Sequence, residues 1–349
     1  MKKNNSVFWG LIILLVFCVC HSTVWADDGN FEDYIAGWNQ KGDKILFFRF
    51  LSVEDASAQK NEGIFYLDTT TKKTNRIDCV PIKSVESLNW YGNDLVYCET
   101  GDCQYRIYKI STDGKRKELL ADLGNLSVAG ALVVGIGRIS ASPQKAFIAF
   151  SLKRKFYSSD NLFRLDKGKK QDDEVGFMKN GADIFVYNTI SKTIKRITKS
   201  VDDCTDPKWS ADGRFLVFTS SAYPNTKPAA STPALIKPIQ SILVYDAKND
   251  EIYEIGDAGT SSPSWSIENI LAYNKVISYD DHEFALLTKN LLTSEIVNLS
   301  DRTGYTGLYP VWSPDGKHIA FSSKNKTKSG NLRIFIMDKG GNEVIQLTQ

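Results

Sequence analysis

The segment Pro310-Val-Trp-Ser-Pro-Asp-Gly-Lys-His-Ile-Ala-Phe321 constrains the fold of this chain more than any other. It reads as two short strands around one tight turn. Pro314 supplies the fixed φ that a type I turn wants at its second position, and Gly316 follows where the chain must turn left-handed. Trp312 closes the strand before the turn, and Ile319-Ala-Phe321 forms an apolar strand after it. Such a hairpin cannot bury its apolar faces alone, so it needs copies of itself.

The copies are present. Pro207-Lys-Trp-Ser-Ala-Asp-Gly-Arg-Phe-Leu-Val-Phe218 repeats it almost position for position, with Asp212-Gly213 standing where Asp315-Gly316 stand. Shorter versions begin at Trp38, Trp90 and Trp265, and an eroded one at Ala141-Ser-Pro-Gln-Lys, with alanine in the tryptophan position. Of seven tryptophans, Trp9 and Trp25 lie near the start, while Trp38, Trp90, Trp209, Trp265 and Trp312 all hold this one repeat position. A third strand follows each hairpin, ending in Asp68, Asn188, Asp246, Asn290 and Asp338 in five units, side chains that start turns by bonding their own backbone. A more polar fourth strand completes each unit, as suits an outer edge in water. No amphipathic helix of ten or more residues is legible after the first 26 residues. Six units of four strands predict an all-β chain, a six-bladed β-propeller of four-stranded antiparallel blades, occupying 27–349 as one domain. The pattern obliges no blade to borrow strands from both chain ends; Asp27 to Asp33 either add a strand to the last blade or stand free.

Met1-Lys2-Lys3, the apolar run Val7–Val19 and the small or aliphatic residues before Asp27 predict a signal peptide over 1–26, cleaved after Ala26. That run is shorter than the roughly 20 residues a membrane-spanning helix needs. Bulky Phe17 and Val19 precede Cys18 and Cys20, which speaks against a lipid anchor there. Loss of Lys2 and Lys3 leaves 41 basic against 41 acidic residues, a balance that offers nucleic acid no electrostatic footing. An exported chain permits disulfides, and Cys98-Glu-Thr-Gly-Asp-Cys103 is placed to staple the mouth of a hairpin. Cys79 and Cys204 lie in corresponding linkers two units apart, and no Cys-x-x-Cys spacing marks a zinc or redox site.

Two units are overlong between their second and third strands. Unit three carries Lys153-Arg154-Lys155-Phe156-Tyr157, then Leu162-Phe163-Arg164-Leu165; unit four carries a proline-rich stretch that includes Tyr223. In an up-and-down blade both loops leave the same face, from adjacent blades, and long loops on a rigid scaffold often carry function. Lys153, Arg154, Lys155, Phe156, Tyr157, Phe163, Arg164 and Tyr223 are therefore the candidate partner-binding residues.

The Pro-x-Trp-Ser-Pro-Asp-Gly-Lys-x-Ile-Ala-Phe repeat, followed by a strand ending in Met337-Asp338 and then Leu347-Thr348, resembles the propeller repeats of the TolB family, periplasmic members of the Tol–Pal envelope system. Residues 310–321 and 332–348 match closely and 207–218 well, the other units in outline. The family carries an α/β domain before its propeller, whereas here the first repeat begins at Trp38, soon after the expected cleavage site. The resemblance implies a TolB-like propeller in the periplasm without the segment that meets an inner-membrane partner.

Chemistry is hard to find. After residue 26 only His282 and His318 remain; His318 holds a strand position, and Tyr279-Asp-Asp-His-Glu283 reads as a solvated turn. No Gly-x-Ser-x-Gly elbow or zinc spacing exists, and Gly135-Ile-Gly137 lacks the βαβ unit of a dinucleotide site. No cofactor, metal or catalytic residue is expected. The sequence supports a monomeric, non-enzymatic scaffold binding a protein, peptide or cell-wall partner of the envelope. The alternative is a propeller hydrolase or lyase acting on a carbohydrate in the central channel.

Overall fold

Each tryptophan unit folds as the hairpin its turn residues dictate. Trp38 pairs with Ile45, Trp90 with Leu95, Trp209 with Leu216, Trp265 with Leu271 and Trp312 with Ile319. Ala141 pairs with Ile148, so the eroded unit keeps the register. At the last turn Ser313 Oγ donates to Asp315 (2.6 Å) and accepts from the His318 N–H (3.0 Å), while Gly316 supplies φ +69°. Ser210, Asp212 and Gly213 repeat that arrangement, with Ser210 Oγ accepting from the Phe215 N–H at 2.9 Å and Gly213 at φ +72°.

In this computed structural model the described residues are 31–51, 62–101, 104–124, 126, 131–156, 179–199, 203–222, 239–255, 258–278, 283–325 and 330–349. The expected signal segment 1–26, with Cys18 and Cys20, lies outside them, as does His282. Blade 1 comprises β1 (Phe31–Trp38), β2 (Lys44–Leu51), β3 (Gly63–Asp68) and β4 (Thr74–Ile77). Blade 2 comprises β5 (Asn89–Tyr91), β6 (Asp94–Gly101), β7 (Gln104–Ile110) and β8 (Lys117–Asp122), entered through a 3-10 turn over Ile82–Ser87. Blade 3 is β9 (Ala131–Ala141), β10 (Phe147–Phe156), β11 (Lys179–Asn188) and β12 (Ile194–Arg196). Blade 4 is β13 (Asp203–Trp209), β14 (Phe215–Ala222), β15 (Ile239–Asp246) and β16 (Glu251–Glu254). Blade 5 is β17 (Thr260–Trp265), β18 (Ile270–Ser278), β19 (Glu283–Asn290) and β20 (Ile296–Asn298), and runs into a one-turn helix, α1 (Leu299–Thr303). Asn298 caps that helix by accepting from the Asp301 N–H, and Gly304 ends it at φ +76°. Blade 6 is β21 (Leu308–Trp312), β22 (His318–Ser323), β23 (Arg333–Asp338) and β24 (Ile345–Gln346).

Within every blade the strands pair antiparallel in chain order, and blades 3 and 4 are joined by a parallel bridge between Ala182 and Asp203. The first strand of each blade touches that of the next around the whole circuit, β21 meeting β1, so the first strands form the innermost ring. Among the described residues closure borrows no strand, and Phe31 to Asp33 neither join the last blade nor stand free but begin β1 of blade 1. Instead, the Asp33 N–H donates to Leu332 O (2.9 Å) and Trp38 Nε1 to Val311 O (3.2 Å). Six clusters of buried side chains fill the six seams between neighbouring blades, and this shared apolar burial holds the ring.

A polar ladder repeats beside the apolar one. Thr219, Asn274 and Ser322, each three residues past the tryptophan's cross-strand partner, accept from the backbone N–H of Ser262 (3.2 Å), Tyr309 (2.9 Å) and Ile35 (3.0 Å) in the next blade. The ring-closing seam uses the same bond as the internal ones. The first strands also bulge. Two residues oppose one between Thr205 and Lys208, between Ser261 and Ser264, and between Leu308 and Val311. Asp206, Ser262 and Tyr309 consequently sit at φ +59°, +53° and +53°, each just before a proline. Proline fits a bulge because its missing N–H costs no ladder bond there.

The hairpin β6–β7 bears on the expected Cys98–Cys103 bridge, of which only Cys98 lies among the described residues. Cys98 lies opposite Ile107 and Gln104 opposite Gly101, so the chain has run three residues, about 10 Å, along the strand before it reaches Gln104. A disulfide needs Cα atoms within about 7 Å. Cys98 is a free, buried thiol, as is Cys204; Cys79 is free and half-buried, and Cys103 lies outside the described residues. Burial pushes the Cys98 thiol up to about 12. Iodoacetamide at pH 8 should therefore leave Cys98 and Cys204 unmodified in the native protein and label both once it is unfolded without reductant. Mass spectrometry reads the outcome, and persistent blocking of Cys98 after unfolding would restore the bridge.

Candidate functional site

Strands two and three of a blade meet on the face opposite the Asp-Gly turns. Among the described residues blade 3 reaches furthest there, because β10 stays paired with β11 as far as Phe156 opposite Lys179, while in blade 4 β14 pairs with β15 as far as Ala222 opposite Ile239. The strand register corrects one expectation. Lys153, Arg154, Lys155 and Phe156 are ladder residues of β10, hydrogen-bonded to β9 on one side and β11 on the other, and not part of a loop. Tyr157, Phe163, Arg164 and Tyr223 lie outside the described residues.

Arg154 cannot meet a partner. Its side chain is fully buried and donates from Nε (2.7 Å) and Nη2 (3.1 Å) to the two carboxylate oxygens of Asp183, itself fully buried. Arg196 Nη2 adds a third bond to Asp183 at 2.7 Å, and Thr198 Oγ1 a fourth at 3.2 Å while accepting from the Ile184 N–H. A bidentate guanidinium is the strong form of this interaction, and its role is to fix the base of the β10–β11 hairpin. Lys153 is half-buried and pairs with Glu86 of blade 2 at 2.6 Å. Burial raises the Asp203 carboxyl, and the nearby Lys153 and Arg154 oppose that shift. Of the candidates, only Lys155 remains half-exposed and without an ion pair among the described residues.

The same face instead presents apolar side chains. Leu132 (48%) and Val134 (44%) at the start of β9, Ile239 (48%) at the start of β15 and Ile277 (60%) near the end of β18 are exposed on three consecutive blades. None of them belonged to the expected set. The apolar run Leu132-Val-Val134 was visible in the sequence, but only the register shows that it projects past the seam cluster. Several exposed aliphatic side chains on one face mark an interaction site more often than an isolated exposed leucine does. Among the described residues no group of three or more His, Cys, Asp or Glu side chains is placed to hold a metal ion.

No protein-family model matches the chain, and no curated protein matches its sequence. Solved structures do match it. TolB from Acinetobacter baumannii superposes with a TM-score of 0.53 at 14% identity, covering 97% of this chain and 67% of that one. Acylaminoacyl peptidase from Pyrococcus horikoshii gives 0.52 at 11% identity over 91% of this chain. This chain spans only 46% of that peptidase. One neighbour is a TolB protein and the other a peptidase, and at such identities the likeness is one of fold: this is a β-propeller similar to the propeller of TolB.

Proposed function

We propose that this protein is an exported, monomeric, non-enzymatic propeller that binds a protein or peptide partner of the cell envelope, in the periplasm, through the face from which the blade 3 and blade 4 hairpins project. The reading rests on the exposed apolar set Leu132, Val134, Ile239 and Ile277, carried on a base that the Arg154–Asp183–Arg196 cluster makes rigid. Apolar anchors on a pre-ordered surface lose little entropy on binding. Residues 1–26 act as the signal peptide, and the two long loops, with Lys155 beside them, extend the contact surface. The carbohydrate-cleaving alternative calls for paired carboxylates in the channel. Of the described first-strand carboxylates, Asp33 is held by Arg49 at 2.6 Å, and Asp206 lies between two cations.

Photo-crosslinking in intact cells tests the assignment. A photoreactive residue at Ile277 should give a discrete adduct, while one at Ile190, 80% exposed on the opposite face, should give none. Serine at Leu132 and Ile239 should weaken the Ile277 adduct at least about fivefold, since burying each aliphatic side chain contributes roughly 1.5–3 kcal/mol. Adducts from Ile190 alone would place binding on the other face. Absence of adducts from both would remove the scaffold reading.

A further inference from the structure

Charge is sparse on the innermost ring at the level of the bulges. The residue three before the tryptophan position is Ile35, Ser87, Ser262 or Tyr309 in four blades, and is charged only in blades 3 and 4, as Arg138 and Asp206. Both are carried on first-strand bulges: two residues oppose one between Ile136 and Ile139 as they do between Thr205 and Lys208. A bulge leaves its residues out of the ladder and re-aims their side chains. Arg138 Nε lies 3.9 Å from Asp206 Oδ1, and Lys208 Nζ lies 3.9 Å from that same oxygen. The three side chains are 22%, 21% and 17% exposed, so each is only partly shielded from solvent.

These distances are too long for hydrogen bonds, which run to about 3.2 Å for N–H···O. Among the described residues, then, a guanidinium and an ammonium share one carboxylate without a direct bond to it. Their nitrogens lie at most about 8 Å apart (3.9 Å plus 3.9 Å), within reach of one ligand carboxylate that accepts a charge-assisted bond of about 2.8 Å from each. The charges select the ligand further. Two cations against Asp206 leave one positive unit, which a monoanion neutralises and a phosphate dianion oversupplies. Burial lowers the Lys208 ammonium, with Arg138 adding to that shift and Asp206 opposing it, so a second anion beside it restores what burial takes away.

We infer that Arg138 and Lys208, at the seam of blades 3 and 4, form a binding site for the carboxylate of a small organic monoanion entering the central channel. Asp206 is the internal competitor that sets its affinity. The site lies on the innermost ring and is independent of the partner-binding face proposed above, so each stands or falls alone.

Isothermal titration of the full chain with D-glucuronate, with N-acetylglycine and with inorganic phosphate tests it. Saturable binding of at least one carboxylate is expected, with phosphate weaker. R138M and K208M should each raise Kd about tenfold or more, the equivalent of one lost charge-assisted hydrogen bond. D206N should lower Kd severalfold, an effect opposite in sign to fold damage; asparagine tolerates the positive φ at this position. Preference for glucuronate identifies a sugar acid as the natural source, and preference for N-acetylglycine a peptide C-terminus. No saturable binding of either carboxylate, tighter binding of phosphate, or Kd values indifferent to all three substitutions would each overturn the assignment.

Discussion

Asp183→Ala is expected to cost about 3–5 kcal/mol of stability, the range seen when one partner of a buried ion pair is removed. The reason is the company it leaves behind. Arg154 is fully buried, so without Asp183 it loses its bidentate carboxylate acceptor in the blade interior. Arg196 loses the same acceptor but is 31% exposed and can turn to water. Arg196→Ala should accordingly cost about 1 kcal/mol, within the range for a partly exposed pair. Asp183→Asn keeps the shape and removes the charge, and should fall between the two. An Arg154→Met, Asp183→Leu double variant should recover most of the loss, because replacing a buried pair by apolar groups is often close to neutral. Urea titration monitored by tryptophan fluorescence gives the four values. If Asp183→Ala proves no worse than Arg196→Ala, the cluster does not fix this hairpin.

That cluster also marks where the sequence could be read and where it could not. The fold was legible because the Trp-turn-strand hairpin recurs and its turn chemistry is local: Ser313, Asp315 and Gly316 fix their own conformation through bonds spanning five residues at most. The outer strands were legible from their polarity. The end of β10 was misread because charge interrupts an apolar run: Ile148, Phe150 and Leu152 share one face, and Arg154 continues it in phase. Period-2 alternation was the signal, but a buried arginine is credible only once Asp183, 29 residues away, is known to lie beside it. The bulges carried a local mark that went unused, the proline two residues before Trp209, Trp265 and Trp312. For Cys98, closeness in sequence to Cys103 is a weak guide to pairing, because an extended strand advances about 3.4 Å per residue.

The repeat position itself supports the second large effect. Trp312→Ala should destabilise by about 3–5 kcal/mol, as removal of a buried large aromatic does. Trp312 is 6% exposed and packs in the seam between blades 5 and 6 with Leu286, Leu299, Phe321 and Phe335. Trp38 is only half-buried, and Trp38→Ala should cost clearly less. Phenylalanine at the same positions separates packing from hydrogen bonding. The Trp312 indole N–H is buried without an acceptor among the described residues, so Trp312→Phe discards a donor that was already unsatisfied. At Trp90 the indole N–H donates to Gly37 O across the blade 1–2 seam at 3.0 Å. Trp90→Phe loses that bond and leaves a buried carbonyl short of a donor, a difference of about 1 kcal/mol. Chemical denaturation of both variants should rank Trp90→Phe as the more damaging. The reverse order would mean that the two tryptophans, though equivalent in register, do not share one role in closing the ring.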